Sequence, residues 1–405
     1  MGRDGEVGAK FDLMLALSAR GDRIGGAFVY DRDLFRADTV TRFAAVLTEL
    51  ARAACTDSDL PLAAMPLVDA ATRAAMIHAW NPEAQPAATE TLNDRFAARV
   101  ATLPDKEALV VYGDADRKTY TFAALDAAAS AAADRLQRQG VGLGTPVALC
   151  LSDPYLTVVA LLAAARLGAV QVLMDPVYPE ARKRFIAADA GARHVLTEQA
   201  EAATFADHEG TVHCMDSLEW DAPVAPVSRP AIPGGLPVYI IYTSGSTGNP
   251  KGVVLPHEAF TPMLDAYMAV FRMTPRTRAL QTLSYAFDYG FMERWCTLCG
   301  GGTLVCLPPE ELADPGRFAR CLREERINTV QCTPSFIREM AAAEVDLSVL
   351  EFVHMGGEAL NHRGVLFFCS VPPCFVLKIG RARDRDQGWA KRHGGNLSSD
   401  VTFLP

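Results

Sequence analysis

Tyr242-Thr-Ser-Gly-Ser-Thr-Gly-Asn-Pro-Lys-Gly252 decides how the rest of this chain is read. An apolar run, Pro237-Val-Tyr-Ile-Ile, precedes it, and Gly252-Val-Val-Leu follows. Two β-rich runs around a glycine-rich turn predict a loop slung between strands. Gly245 and Gly248 allow positive φ and let backbone N–H groups converge on an anion. Thr243, Ser244, Ser246 and Thr247 add hydroxyl donors suited to phosphate oxygens. Lys251 brings a mobile point charge, and Pro250 stiffens the entry into the second strand. A flexible Ser/Gly linker shares this composition, but it needs neither flanking strands nor a Pro-Lys-Gly ending. The loop is suited to a polyphosphate. It is not a Walker loop, in which lysine follows the second glycine directly; here Gly248 is followed by Asn-Pro-Lys.

A length of 405 residues, half of them apolar, predicts two or three domains with a large core. A net charge of −9 argues against nucleic acid or an anionic membrane as the main partner. The 10 cysteines and 8 histidines are scattered, which fits a reducing cytoplasm. Cys296-Thr-Leu-Cys299 is the sole C-x-x-C and has no histidine at finger spacing, so it reads as one face of a core helix and no metal site is expected. Met1-Gly-Arg-Asp-Gly-Glu leads into no apolar core and is not a signal peptide. The longest apolar run, 157–174, is broken by Arg166 and Gly168; it reads as helix, turn and buried strand.

From about residue 90 strands and helices alternate. Thr121 caps a helix with the stripe Leu125, Ala128, Ala132 and Leu136, closed by Gly140. Asp153-Pro154 opens another that Gly168 ends, and Pro179 a third that ends at Gly191. Strands are expected at Pro146-Val-Ala-Leu, Ala169-Val-Gln-Val-Leu, Arg193-His-Val-Leu, Thr303-Leu-Val-Cys-Leu, Asn328-Thr-Val-Gln-Cys and Glu351-Phe-Val-His. Helices are expected from about Pro256, Asp314 and Ser335. This rhythm predicts an α/β fold with parallel sheet and crossover helices. The first 80 residues offer two strands and one helix starting near Asp38 or Thr39, a poor core by itself.

In family order, residues 90–360 resemble the adenylation domains of nonribosomal peptide synthetases, within the adenylate-forming enzymes. The phosphate loop carries the resemblance, with Tyr120-Thr-Phe-Ala-Ala-Leu125, Gly168-Ala with Asp175-Pro-Val-Tyr-Pro179, Tyr285-Ala-Phe-Asp288 and Gly356-Gly-Glu-Ala-Leu360. Gly290 stands where the family usually has serine. The resemblance implies a large N-terminal subdomain of stacked β-sheets flanked by helices. Residues 1–82 resemble the tail of a condensation domain and its linker, through Lys10-Phe-Asp-Leu, Gly25-Gly-Ala-Phe-Val-Tyr-Asp and Trp80-Asn81; an ordinary α/β extension is the alternative.

The family activates an amino acid with ATP, as its Mg²⁺ complex, to an aminoacyl-adenylate and pyrophosphate, and loads it on a phosphopantetheine carrier domain. The resemblance then makes Thr243, Ser244, Gly245, Ser246, Thr247, Gly248 and Lys251 the phosphate site. It implies that Asp288 grips the substrate's α-ammonium. A carboxylate is costly to bury without a cation, although a helix N-cap is another use for it. The resemblance lines the side-chain pocket with Tyr289, Met292, Gln331, His354 and Gly356. Gln331 and His354 either favour a hydrogen-bonding substrate or are satisfied internally. Phe291 and Trp295 read as core, and His257 as packing or capping its helix.

After Leu360 the resemblance stops. No Asn-x-Tyr-Gly-Pro-Thr-Glu segment, ribose-binding aspartate or lid domain with its catalytic lysine is found, so no catalytic residue and no Mg²⁺ ligand is assigned. Residues 361–405 are basic, poor in alanine and without clean period beyond one apolar run. They suggest an aberrant, disordered tail and a fragment inactive alone. An acyl- or aryl-CoA ligase relative and a non-catalytic interaction fragment are the competing readings; Asp288 and the N-terminal segment count against the first.

Overall fold

A computed structural model describes residues 11–79, 90–113, 116–217, 230–243, 250–358, 375–379 and 402–404. The chain divides into two compact units, residues 1–85 and 86–405.

In the first unit, β1 (Leu13–Arg20) and β2 (Arg23–Tyr30) form an antiparallel hairpin with Arg20 opposite Arg23. Gly21 takes the turn at φ 61°, a conformation costly for other residues. The long helix α1 (Ala37–Thr56) follows, with Asp38 in its first turn complementing the helix dipole. Asp69 caps the short α2 (Ala70–Ala74) by accepting from the Thr72 N–H at 2.7 Å. Trp80 and Asn81 lie outside the described residues.

The second unit runs α3 (Leu92–Thr102), β3 (Glu107–Tyr112), β4 (Arg117–Thr121), α4 (Phe122–Arg138), β5 (Pro146–Leu149), α5 (Pro154–Leu167), β6 (Val170–Leu173), α6 (Glu180–Asp189), β7 (His194–Thr197) and β8 (Thr211–Cys214). It continues with β9 (Pro237–Thr243), β10 (Lys251–Pro256), α7 (His257–Val270), β11 (Arg278–Gln281), α8 (Asp288–Cys299), β12 (Thr303–Cys306), α9 (Pro309–Ala313) and α10 (Pro315–Glu324). Then come β13 (Thr329–Cys332), α11 (Pro334–Ala342), β14 (Phe352–Met355), β15 (Phe375–Ile379) and β16 (Thr402–Leu404). The expected caps are in place. Thr121 Oγ1 accepts from Ala124 N at 3.1 Å, Asp153 from Leu156 N at 2.8 Å and Asp314 from Arg317 N at 2.7 Å.

One sheet has the order β10-β9-β6-β5-β7-β8 and the other β16-β15-β14-β13-β11-β12-β3-β4. Pairing is parallel except at β9–β10 and β3–β4, so hairpins at one edge of each sheet modify the expected parallel rhythm. Within the tail 361–405, expected to be disordered, Phe375–Ile379 forms β15 alongside β14, and Thr402–Leu404 forms β16 paired with β15.

The sheets enclose a shared apolar cluster containing Leu109 and Leu304 of one, Leu149 and Ile241 of the other, and α4, α5 and α8 between them. A second cluster joins the opposite face of the eight-stranded sheet, through Val305, Val330 and Val353, to Phe318 and Leu322 of α10 and Ile337 of α11. A third packs Ala148 and Val172 of the six-stranded sheet against Ile186 of α6. Among the described residues no helix is long and apolar enough to cross a membrane. Arg166, which interrupts the longest apolar run, is buried in α5 and paired with Asp126.

Candidate active site

The phosphate loop springs from an edge hairpin. β9 and β10 place Thr243 directly opposite Lys251, both exposed, and the chain between them must turn back there. Ser244, Gly245, Ser246, Thr247 and Gly248 lie outside the described residues. Gly252 sits opposite Tyr242, and a Cβ there would meet the Tyr242 ring at 3.0 Å. The ring can cross the neighbouring strand because that position is glycine, and its hydroxyl donates to Asp189 Oδ2 at 2.6 Å. The Pro-Lys-Gly ending is thus partly a packing requirement.

The other half of the site is α8 and the segment before it. Tyr285 is buried between the two sheets. Its hydroxyl accepts from Leu151 N at 2.8 Å and donates to Leu149 O at 3.3 Å, tying the start of α8 to the end of β5. Arg294 reaches back to Gly290 O at 2.7 Å and Leu283 O at 3.2 Å. A Cβ at Gly290 would come within 2.1 Å of the Ser284 carbonyl, which explains glycine at that position. Asp288 is the first residue of α8 and is exposed; it accepts from Tyr289 N at 2.7 Å. The expectation of a buried carboxylate is therefore corrected. Phe287 is the N-cap, and Asp288 at the helix start gains from the dipole without being hidden from water.

The residues expected to line the side-chain pocket lie on α8, β13, β14 and the turn after β14. Met292 is buried on α8. Tyr289 lies beside Gly356, 3.8 Å from where a Cβ would sit. Its ring meets Tyr267 edge-on at 6.1 Å, Tyr267 meets Phe271 at 4.4 Å, and Phe271 stacks on His354 at 3.9 Å. Parallel register sets Gln331 of β13 beside His354 of β14. Val330 and Val353 point into the α10 layer, so alternation turns Gln331 and His354 to the α8 side. Both are fully buried, and neither side chain has a hydrogen-bond partner among the described residues. Burial pushes the His354 pKa down to about 3, so the ring is neutral at physiological pH.

Sequence reasoning missed Glu293. It is fully buried on α8, and burial, opposed by the Arg294 charge and the N–H groups of Thr282 and Leu283, pushes its pKa up to about 8. The signal was legible: Glu293-Arg294 stands between Phe291-Met292 and Trp295-Cys296, a charged pair inside an otherwise apolar helix. Glu358, in the glycine-rich turn, was missed as an anchor: it accepts from Ser335 Oγ at 2.6 Å and Ser335 N at 3.1 Å. Gly357 beside it takes φ 81°. Phe291, Trp295, Cys296 and Cys299 are core, as expected, and His257 packs buried at the start of α7. No metal-ligand cluster occurs among the described residues.

Residues 96–379 match the family model for AMP-binding enzymes, which extends past Leu360 through β15. The chain belongs to that family. It is 35% identical over 364 residues to phosphinothricin tripeptide synthetase PhsC of Streptomyces viridochromogenes, covering 87% of this chain and 32% of PhsC. It is 30% identical over 410 residues to a dimodular nonribosomal peptide synthase of Bacillus subtilis, covering 96% of this chain and 16% of that protein. The chain thus spans about a third or less of these relatives. The nonribosomal peptide synthetase FmoA3 superposes with a TM-score of 0.75 at 23% identity, over 92% of this chain and 40% of FmoA3. The N-terminal subdomain of Klebsiella oxytoca NpsA, in complex with 3-hydroxyanthranilyl-AMSN, gives 0.64 at 23% identity, over 72% and 73% of the two chains. The fold is that of the large N-terminal subdomain of adenylate-forming enzymes.

Proposed function

We propose that residues 90–360 are the substrate-selecting part of a nonribosomal peptide synthetase adenylation domain. The reaction joins an amino acid carboxylate to the α-phosphorus of ATP, bound as its Mg²⁺ complex, and releases pyrophosphate; a carrier thiol accepts the aminoacyl group. The observation that carries this is Asp288, exposed at the start of α8, with Gln331 and His354 buried on the sheet face turned to that helix. An exposed carboxylate at a pocket rim can meet an α-ammonium without first losing its hydration, and the substrate's own burial then strengthens the pair. Thr243, Lys251 and the loop between them hold the β- and γ-phosphates, where donors and a cation offset the charge that builds as two anions meet. Lys251 steers and holds pyrophosphate; it is not the base. Residues 1–82 are proposed as a condensation-domain tail with its linker.

Residues 361–405 read without the adenine- and ribose-binding segment, so the 405-residue chain by itself is proposed not to complete the reaction. The test is amino-acid-dependent ATP–pyrophosphate exchange, run on this chain and on the same residues joined after Gly357 to the downstream half of a related adenylation domain. The joined protein should exchange with an α-amino acid and ignore its deaminated analogue. Asp288→Ala should cost roughly 2–5 kcal/mol in substrate selection, and Lys251→Ala about 10²-fold in rate. Efficient turnover of a simple fatty or aryl acid would instead favour a CoA ligase, and robust exchange by the 405-residue chain would make its tail a working substitute.

A further inference from the structure

The sheet face turned to α8 is chemically specific. On the face turned to α8, the eight-stranded sheet is apolar at Leu109 of β3 and at Leu304 and Cys306 of β12. On β13 and β14 the same face changes to Gln331 and His354. The Gln331 amide oxygen and nitrogen and both His354 ring nitrogens are buried without a partner among the described residues. A folded chain does not keep such atoms dry and unpaired at no cost, so their partner is to be sought in a ligand. The two side chains together offer amide donors and an acceptor, plus one imidazole donor and one acceptor.

Resting on the adenylation reading, we propose that this pocket selects an amino acid whose side chain ends in a neutral, planar group carrying both donors and acceptors: a carboxamide or a ureide. A hydroxyl has one proton to donate and leaves part of the amide–imidazole pair unmatched, whereas a carboxamide has two donors and an acceptor oxygen. An apolar side chain of the same length leaves the whole set unpaired. A charged side chain finds no matching charge. His354 is neutral, and Glu293, whose pKa is near 8, is largely protonated at pH 7, so neither supplies a charge, and the Arg294 guanidinium is turned back to the Gly290 and Leu283 carbonyls. Tyr289, Tyr267 and Phe271 are flat walls suited to a planar terminus.

Free amino acids probe this directly. Saturation-transfer NMR with the 405-residue chain compares glutamine, asparagine and citrulline with leucine, methionine, glutamate and lysine. The carboxamide and ureide acids should bind at least roughly tenfold more tightly, the loss expected when buried hydrogen bonds go unmade. Gln331→Met and His354→Phe, close in size to the originals, should abolish that preference while raising Tm by about 2–4 °C, since each removes an unpaired polar group. Leucine or methionine binding as well as glutamine would overturn the proposal and leave the adenylation reading standing. So would a fall in Tm for both variants, which would show that the polar atoms already have partners. Binding of deaminated acids in preference to amino acids, or of none of these compounds, would overturn both.

Discussion

Glu325, just after α10, and Glu293, in the middle of α8, are both buried against the eight-stranded sheet, one on each face. Glu325 is surrounded. It accepts from Tyr112 Oη at 2.6 Å, Arg117 Nε at 2.6 Å and Arg278 Nη2 at 2.5 Å, and Arg278 also reaches Glu107 at 3.0 Å. Burial raises its pKa, but the bonds from Arg117 and Tyr112 and the charges of Arg117 and Arg278 outweigh that and hold it at about 2. Glu293 has the reverse outcome: burial dominates and the carboxyl is pushed up to about 8. The α10 face ties strands together with satisfied charges. On the α8 face the Gln331 and His354 side chains have no partner among the described residues, and the Glu293 carboxyl of the helix itself prefers its proton. A layer that serves only the fold can satisfy every polar group within itself, whereas a layer that must receive a ligand leaves some groups free.

The largest expected effect comes from breaking the satisfied side. Glu325→Ala leaves Arg117 and Arg278 facing a vacated site and should destabilise the chain by about 3–5 kcal/mol, read by denaturant unfolding at pH 7. A loss under about 1 kcal/mol would reduce this cluster to an ordinary surface ion pair.

Next in size is the pH dependence on the other face. A carboxyl whose folded pKa lies above its unfolded value contributes stability at low pH and loses it as pH rises. For Glu293 the loss should run from about 4.5 to about 8 and amount to a few kcal/mol. Glu325, depressed, behaves oppositely: its contribution is complete above about 4.5 and disappears as pH falls toward 2. Unfolding curves of Glu293→Gln should therefore lack part of the alkaline decline seen in the unmutated chain and match its acid limb. Parallel curves from pH 5 to 9 would mean that Glu293 ionises freely.

The smallest effect at pH 7 sharpens the contrast within the α8 face. His354 is depressed to about 3, so the unfolded chain takes up its proton first, and stability falls as pH drops from about 6.5 toward 3. His354→Phe should remove that slope and gain about 1 kcal/mol at pH 7. An unchanged slope would place the protonation elsewhere.

Local signals were enough for much of this protein. Thr121, Asp153 and Asp314 announced their helices because capping is settled within three residues. Gly168 announced a helix end, which it makes at φ 65°. Alternation and apolar runs announced β5, β6, β7, β12, β13 and β14, and the glycine-rich run announced the β9–β10 turn. Tertiary structure alone decided the rest. The short strands β8 and β11 have little period of their own and exist through their neighbours. Whether Asp288 is buried depended on where α8 begins relative to the segment held by Tyr285, a contact spanning more than a hundred residues. Gln331 and His354 are twenty-three residues apart in sequence, and parallel register alone sets them side by side. Sequence determines which way each side chain must alternate along its own strand; only the packed sheet determines which side chains share a face, and on that face the chemistry is chosen.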